Sequence, residues 1–418
     1  MSPALNASLS ELVRSRTPGY SLPGGFYAGA ELYAAELETI WRRGWLFAAH
    51  ACELREPGDW LTLTVGDDPL LIARAEDGGL RAFHNVCRHR GTLLCRAEAG
   101  HAKRIVCPYH QWTYSLDGAL VASRGMQADL EREALGLSQV HLECVGGLIF
   151  VCLAEEPPDF APVRAELEPM LRPQGLERAK VARHIDYVVA ANWKLVWENN
   201  RECYHCVANH PEYVRANHDH RNEDDTSEAL RAEIEAAVLH SRQRWVDAGL
   251  ELTHAQSGMA PFPDPEGGRW WSVNRTVLVQ GWVSESLDGR QVAPLMGDYP
   301  EPDVGTLRVR SMPNLWNHSS CDHGVSTRLL PDGPDRTKVR VSWLVHEDAV
   351  EGRDYELERL LPYWRCTSEQ DWELCEVAQR GVRSSGYRPG PLSTHKEYNV
   401  DAFLRWYLAE LTRDGGCS

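Results

Sequence analysis

The spacing of hydrophobic and polar residues changes along the chain and divides it into three regions. In residues 1–43, apolar residues recur at helical spacing up to Trp41 and predict an N-terminal helical segment. In residues 44–156, short apolar segments alternate with turn sequences such as Asp117-Gly118, which is typical of a small all-β domain. Residues 157–418 mix helical and strand-like spacing. We therefore predict an α+β protein with a small all-β domain and a larger second domain.

The third region is predicted to contain five helices and at least three strands. The helices are expected at about 162–172, 192–209, 228–248, 355–377 and 401–413. The strands are expected at 273–283, 306–310 and 338–345.

Composition and charge narrow the class of protein. Of 418 residues, 43% are hydrophobic and 25% are charged, which is ordinary for a soluble globular protein. The net charge of −16 disfavours binding to nucleic acid or to an anionic membrane surface. The longest apolar run, about residues 145–154, is too short to span a membrane, and the first 20 residues lack the apolar stretch of a signal peptide. We expect a cytoplasmic protein whose 12 cysteines are thiols or metal ligands rather than disulfides.

Two pairs of metal-binding residues lie in the all-β region. Cys87-Arg88-His89 is followed, after 17 residues, by Cys107-Pro108-Tyr109-His110. Two cysteines and two histidines in two short loops suit a Rieske [2Fe-2S] cluster, in which thiolates hold one iron and imidazoles hold the other. A structural zinc site is the alternative, but the short Cys-x-His spacing and Pro108 are unlike a zinc finger.

A second group of metal-binding residues lies in the sequence NWKLVWENNRECYHCVANHP at 192–211. His205 and His210 are five residues apart, which on a straight helix is too far around the axis for both to bind one ion. The helix must therefore end near Ala208-Asn209 or carry a bulge there. Two histidines and one carboxylate form the facial triad that binds Fe(II) and leaves positions open for O₂. Asp371 is our first choice for the carboxylate; spacing alone does not exclude Glu369, Glu373 or Glu376.

Cys203 and Cys206 form a Cys-x-x-Cys pair around His205, a spacing that elsewhere indicates thiol redox chemistry or zinc. On a helix whose His205 faced the iron, both cysteines would point away from it. We expect buried packing thiols.

These motifs together resemble the large, oxygenase subunit of Rieske non-haem iron oxygenases. Within that superfamily, the chain is most similar to the glycine betaine and proline betaine (stachydrine) demethylases. The similar stretches are AFHNVCRHRG (82–91), CPYHQWTYSLDG (107–118), ENNRECYHC (198–206), NHPE (209–212), SEQDWEL (368–374), QRGV (379–382) and PGPLS (389–393). Glu202 stands where ring-hydroxylating relatives commonly have Asp and amine-oxidising relatives often have Glu.

The resemblance implies a helix-grip-like catalytic domain with an antiparallel sheet, one Rieske cluster and one mononuclear Fe(II) per chain. It also implies a homotrimer in which the cluster of one subunit passes electrons to the iron of its neighbour. Glu202 would then bridge His110 of one subunit to His205 of the next. The chain has no Gly-x-Gly-x-x-Gly motif for a flavin or nicotinamide nucleotide, so a separate flavin- or ferredoxin-type reductase must supply electrons from NAD(P)H.

A betaine substrate requires two kinds of recognition. Aromatic faces bind a quaternary ammonium group through cation–π interactions. The aromatic candidates are Trp197, Tyr204, Trp270, Trp271, Trp282 and Trp316, and the candidates for binding a substrate carboxylate are Arg275, His318 and His323. Hydroxylation of an N-methyl group would give a carbinolamine that releases formaldehyde. The alternative function within the same superfamily is a dioxygenase that acts on an aromatic ring.

Overall fold

The computed structural model describes residues 11–127, 129–221, 226–253, 259–262 and 268–413. No helix in these ranges is long and apolar enough to cross a membrane.

Ten strands lie in the described part of the all-β region. They are β1 (Leu46–His50), β2 (Asp59–Val65), β3 (Asp68–Arg74), β4 (Leu80–His84), β5 (Ala99–His101), β6 (Ile105–Val106), β7 (Thr113–Tyr114), β8 (Leu120–Ala122), β9 (Gln139–Val145) and β10 (Leu148–Cys152). Seven of them form one antiparallel sheet in the order β1-β10-β9-β4-β3-β2-β5. The alternation of buried Leu61, Leu63 and Val65 with more exposed threonines explains why β2 forms here. The strands β6-β7-β8 form a separate small sheet.

The second domain contains a six-stranded antiparallel sheet. Its strands are β11 (Lys180–Val189), β12 (Trp271–Thr276), β13 (Thr306–Ser311), β14 (Leu315–Ser319), β15 (Gly324–Pro331) and β16 (Thr337–Val345). Their order is β11-β16-β15-β14-β13-β12. The sheet is therefore a meander from β12 to β16, with β11 added at the far edge. The prediction of an α+β fold with an all-β domain and an antiparallel catalytic sheet is confirmed.

The helices are α1 (Ala30–Glu36), α2 (Ala161–Leu171), α3 (Trp193–Asn200), α4 (Cys206–Asn209), α5 (Tyr213–Ala216), α6 (Glu228–Asp247), α7 (Leu357–Leu360), α8 (Pro362–Val382) and α9 (Tyr398–Thr412). Helix α8 begins at Pro362, whose fixed φ suits the first turn of a helix. Its buried face includes Trp364, Thr367, Trp372 and Cys375, and Asp371 lies at the same helical spacing.

Three predicted elements have different bounds in the structure. The predicted strand 273–283 ends at Thr276, because the apolar residues that follow leave the sheet and turn at Gly281, where φ is +83°. The predicted helix 355–377 is divided into the short helix α7 and the longer α8, which begins at Pro362 and continues to Val382. The predicted helix 192–209 is interrupted between α3 and α4, and this break shapes the candidate metal site.

The N-terminal segment packs against the second domain. The Tyr27 hydroxyl donates to Glu198 at 2.9 Å. The fully buried Lys194 ammonium donates to Glu36 at 2.5 Å, and Tyr407 donates to the same carboxylate at 2.6 Å. These contacts attach the segment to α3, the helix that leads into the candidate iron site. Without Glu36, the buried charge of Lys194 would be unpaired, which is costly.

Candidate functional site

Two loops with matching backbone geometry carry the four residues predicted to bind the cluster. The Cys87 loop follows β4, and the Cys107 loop connects β6 to β7. In the first loop, Cys87 N donates to Thr92 O at 2.9 Å, and Gly91 N donates to Cys87 O at 3.0 Å. In the second loop, Cys107 N donates to Trp112 O at 2.8 Å, and Gln111 N donates to Cys107 O at 3.0 Å. The two loops therefore present their cysteine and histidine in the same way.

A left-handed residue ends the turn in each loop. Gly91 has φ +73° and Gln111 has φ +60°, and Gln111 is the one non-glycine residue with positive φ in the described part of the chain. A left-handed conformation is uncommon for glutamine. With this conformation, Gln111 gives the second loop the same backbone turn that Gly91 gives the first.

The side chains of these loops converge. The His89 and His110 rings lie 4.8 Å apart, and Trp112 stacks on His89 at 4.7 Å. Cys87 and Cys107 are buried free thiols, and the Tyr114 hydroxyl lies 3.4 Å from Cys87 Sγ. The buried Nδ1 of His89 has no hydrogen-bond partner in the described structure. A buried, unpaired ring nitrogen beside two buried thiols is what iron ligation would satisfy, so these residues fit a Rieske cluster.

Ligands from three elements meet at the second candidate metal site. His205 Nε2 lies 3.2 Å from Asp371 Oδ1, and His210 Nε2 lies 2.9 Å from the same oxygen. One potential ligand atom from each of these three residues lies within 4.8 Å of the other two. The second ring nitrogen of His210 lies 2.7 Å from the side-chain amide of Gln370, which orients the ring. Two histidines and one carboxylate on one side of a small cavity match the donor set of a facial triad.

The competing carboxylates do not join this cluster. Glu369 accepts a hydrogen bond from the Tyr187 hydroxyl at 3.3 Å, and Glu376 accepts one from Ala190 N at 2.9 Å. Glu373 is exposed to solvent. Of the four candidate carboxylates, Asp371 is the one that contacts His205 and His210.

The charges at the triad are strongly coupled. Burial acts to raise the pKa of Asp371, but hydrogen bonds from His205 and His210 outweigh it and hold the pKa below its ordinary value. Burial acts to lower the pKa of His205, but its hydrogen bonds to Asp371 and Glu202 raise that pKa to about 10. A metal ion bound through His205 would therefore compete with a proton for the imidazole.

The turn between α3 and α4 brings Glu202 to His205. Residues 201–205 are not helical, so these two residues, three apart, do not lie on one face of a helix. Instead, Glu202 Oε1 accepts from His205 Nδ1 at 2.5 Å, and Oε2 accepts from the backbone N–H of Tyr204. Glu202 therefore fixes the orientation of the imidazole and also closes the turn. Helix α4 ends at Asn209, one of the two alternatives predicted for this position.

The prediction of packing thiols at Cys203 and Cys206 is wrong. The two residues form a disulfide, with their Cα atoms 5.0 Å apart, and both are buried. The prediction placed them on a continuous helix, where they would point in different directions. Because the chain turns at 201–205, both sulfur atoms lie on the same side and close a short loop around His205.

A narrow cavity of about 40 Å³ lies against the triad. Its other walls are Asn199, Asn200, Glu202, Cys203, Cys206, Tyr213, Asp219, Met259, Arg310, His318, Trp364 and Thr367. Among the residues predicted to bind substrate, His318 lines this cavity. Its pKa is lowered to about 4, chiefly by burial, so its imidazole is neutral at pH 7.

The structure places the other predicted substrate residues elsewhere. Trp270 and Trp271 pack on each other near Phe150 and Phe160, and Trp282 lines a different cavity with His240. Trp197 and Trp316 pack together in the core, and Tyr204 is exposed. His323 is hydrogen-bonded to Asp322 at 2.8 Å, and Arg275 donates to Val304 O at 2.8 Å. None of these residues is among those that line the triad cavity in the described structure.

Sequence reasoning missed Trp364, Tyr213 and Arg310 as cavity residues. One available signal was helical spacing, since Trp364 precedes Asp371 by seven residues, or two turns of α8. Tyr213 follows His210 by three residues and its ring lies 5.9 Å from the Trp364 ring. No local pattern could have identified Arg310, which reaches the cavity from β13.

Comparison with known proteins agrees with this arrangement. Residues 44–140 match the model of the Rieske [2Fe-2S] domain, and residues 176–413 match that of the ring hydroxylating alpha subunit (catalytic domain). The chain is 40% identical to the glycine betaine monooxygenase oxygenase subunit of Chromohalobacter salexigens, covering 97% of this chain and 88% of that protein. It is 39% identical to the subunit of the same description from Pseudomonas aeruginosa, covering 100% and 94%.

A solved structure shares the fold. The crystal structure of the quaternary ammonium Rieske monooxygenase CntA in complex with gamma-butyrobetaine superposes with a TM-score of 0.69 at 21% identity, covering 96% of this chain and 98% of that one. The matches span both the cluster loops and the triad. The chain therefore belongs to the Rieske non-haem iron oxygenases, as an oxygenase subunit of the ring-hydroxylating alpha-subunit family.

Proposed function

We propose that this protein oxidatively removes an N-methyl group from a betaine, with glycine betaine as the first substrate to test and proline betaine as the second. The observation that carries the proposal is the identity of 39–40%, over nearly the whole chain, to glycine betaine monooxygenase oxygenase subunits. The triad cavity adds independent support. It is small and lined by both aromatic and charged side chains, which suits a compact zwitterion better than a fused aromatic ring system.

In this proposal, Cys87, His89, Cys107 and His110 bind the [2Fe-2S] cluster, and His205, His210 and Asp371 bind Fe(II). Iron in the triad would supply the activation of O₂. Of the side chains around it, the Trp364 and Tyr213 rings bind the quaternary ammonium group. With two electrons and two protons, one oxygen atom of O₂ enters a C–H bond and the other leaves as water. The resulting carbinolamine breaks its C–N bond to give formaldehyde and the tertiary amine.

Electrons must come from a partner protein. We propose a separate reductase that takes them from NAD(P)H and delivers them to the cluster. His110 lies at the surface of the chain and is the exposed end of the cluster site, so it is the side from which electrons would enter or leave.

We further propose a homotrimer in which the Rieske loops of one subunit dock on the triad region of the next. Large hydrophobic side chains are exposed at both sites: Tyr109 beside His110 is 55% exposed, and Tyr204 and Val207 beside His205 are 59% and 64% exposed. Exposed apolar side chains that cluster at functional loops favour a protein–protein contact. Light scattering should give three times the chain mass of 47.1 kDa; a monomeric mass would refute the trimer.

The substrate test uses purified protein, a surrogate reductase and NADH. Glycine betaine, proline betaine, benzoate and phthalate are supplied separately, and formaldehyde and diols are measured. We expect formaldehyde in step with NADH consumption for a betaine and no diol from either aromatic acid. The Asp371→Ala variant serves as the control for formaldehyde that does not come from the triad. Diol formation without formaldehyde would favour the ring-hydroxylating alternative and refute demethylation.

A further inference from the structure

The inner face of the catalytic sheet presents two arginines toward the triad region. Arg308 and Arg310 alternate on β13 and therefore lie on the same face of the sheet. In register, Arg308 pairs with His318 and Arg310 with Trp316, so His318 faces the same side. Arg310 and His318 both line the triad cavity.

The charges of these two arginines are balanced very differently. Arg308 Nη1 donates to both oxygens of Asp219 at 2.6 Å, and Nη2 donates to Asn217 at 2.7 Å. Arg310 is 5% exposed, yet within the described ranges it makes no side-chain hydrogen bond or ion pair, and its buried Nε is unpaired. A buried guanidinium without an acceptor is unfavourable, so its position indicates an anion that binds there.

A second buried arginine, Arg201, also lacks acceptors for part of its guanidinium group in the described structure. Arg201 is 2% exposed, its Nε and Nη1 have no acceptor among the described residues, and its guanidinium lies 5.4 Å from the Phe262 ring. Burial, followed by the charge of Arg310, lowers the pKa of Arg201 below its ordinary value.

Outside the triad, Arg310 is the described cavity residue that supplies positive charge. Arg310 is the one arginine among the described residues that line the cavity, and no lysine is among them. Burial and the neighbouring Arg308 lower the pKa of Arg310 to about 10, which still leaves it charged at neutral pH. His318 is neutral there, as described above.

We propose that Arg310 binds the carboxylate of the substrate. This inference rests on the proposed demethylase function and adds a specificity rule to it. The quaternary ammonium group lies toward the triad and the rings of Trp364 and Tyr213, and the carboxylate lies toward β13. The site therefore selects zwitterions over simple quaternary ammonium cations.

The test compares ligands that differ only in charge. Calorimetry on the iron-loaded protein measures dissociation constants for glycine betaine and for its carboxamide, which has the same shape and no negative charge. Loss of a buried charge-assisted contact should weaken binding by about thirtyfold or more. We expect the wild type to prefer glycine betaine by at least that factor, and Arg310→Gln to bind both ligands within about threefold of each other. Arg310→Lys should recover part of the preference.

A matched control is Arg275→Gln, which removes a buried arginine on the adjacent strand β12 that bonds Val304 and Tyr299 outside the cavity. Its ligand preference should remain that of the wild type. If the wild type demethylates glycine betaine yet binds the carboxamide equally well, the assignment of Arg310 is wrong while the proposed function stands. If the wild type neither binds nor demethylates a betaine, both are wrong. The comparison of glycine betaine with its carboxamide on the wild-type protein tests the role of Arg310 even if Arg310→Gln does not fold.

Discussion

At the scale of single residues, the oxygen Oδ1 of Asp371 is the point where the two histidines meet. Replacing Asp371 with Ala removes the one carboxylate of the proposed triad, and two imidazoles alone bind Fe(II) weakly. We expect iron content to fall from about three to about two per chain, since the cluster holds two. Elemental analysis together with the visible spectrum of the cluster measures both sites at once.

The matched control for this change is Glu369→Ala, which removes a carboxylate two residues away on the same helix. Glu369 contacts Tyr187 rather than the histidines. It should keep about three irons per chain. Loss of iron in the control, or retention in Asp371→Ala, would contradict the assignment of the third ligand.

Glu202 allows a second prediction, because its two carboxylate oxygens are bound to different groups. Glu202→Gln keeps the size and removes the charge that orients His205 Nδ1–H. We expect both metal sites to remain filled and turnover to fall by about 10- to 100-fold, as for other partners that orient a metal-bound histidine. Single-turnover kinetics should show normal reduction of the cluster and slow oxidation of substrate. Unchanged turnover would remove Glu202 from the electron path.

The sequence suggested most residues of the two candidate metal sites because their spacing is local, and it left the third ligand of the triad open between Asp371 and three nearby glutamates. Cys87 with His89, Cys107 with His110, and His205 with His210 each lie within one loop or turn. Trp364 shares helical spacing with Asp371, but Arg310 could not be found in this way, since it lies on a strand more than 50 residues from Trp364. Their approach to the cavity depends on how α8 packs over the sheet.

At the scale of elements, the turn at 201–205 is held by a disulfide that leads to a third prediction. Alkylation of the denatured, unreduced protein should leave Cys203 and Cys206 unmodified, and both should be labelled after reduction. Peptide mass spectrometry measures the difference. Cys52 and Cys375, which are buried free thiols, are the internal control and should be labelled in both samples once the chain is unfolded. Labelling of Cys203 and Cys206 before reduction would show that they are thiols in the isolated protein.

The elements themselves were predicted unevenly, for identifiable physical reasons. Alternation predicted β16 well, because buried residues such as Val339 alternate with more exposed ones such as Lys338 in its first half. Strands β14 and β15 were missed, since they are buried nearly throughout and carry polar residues such as Asn317 and Ser326 that hydrogen-bond to each other inside the sheet. Period-two spacing cannot show a strand whose two faces are both buried.

At the scale of the whole molecule, buried histidines tie stability to pH. Burial lowers the pKa of His318 to about 4, whereas in an unfolded chain it is about 6.5. Between these values the unfolded chain binds more protons, so this group makes the free energy of unfolding fall as pH falls from 6.5 toward 4. The full effect is on the order of 3 kcal/mol.

The prediction is a pH-dependent difference between His318→Asn and the wild type. The variant should be less stable at pH 7 and should lose less stability than the wild type as the pH is lowered to 4.5, measured by denaturant unfolding. The difference in free energy of unfolding between variant and wild type removes the contributions of other titrating groups. One such group is Glu198, whose pKa is raised to about 8 by burial. His141→Asn changes an exposed histidine and should follow the wild-type curve. Parallel curves for His318→Asn and wild type would refute the prediction.

The pairing of β1 with β10 has a consequence for engineering. These are the first and last strands of the β domain, and they lie side by side, with Leu46 opposite Val151. The chain thus enters and leaves that domain at one place, while the segment before it is already attached to α3 through Glu36 and Tyr27. The β domain is in effect an insert with adjacent junctions. A cluster domain of different redox potential could be grafted between these two junctions, whereas a simple fusion near residue 156 would discard the carboxylate that Lys194 needs.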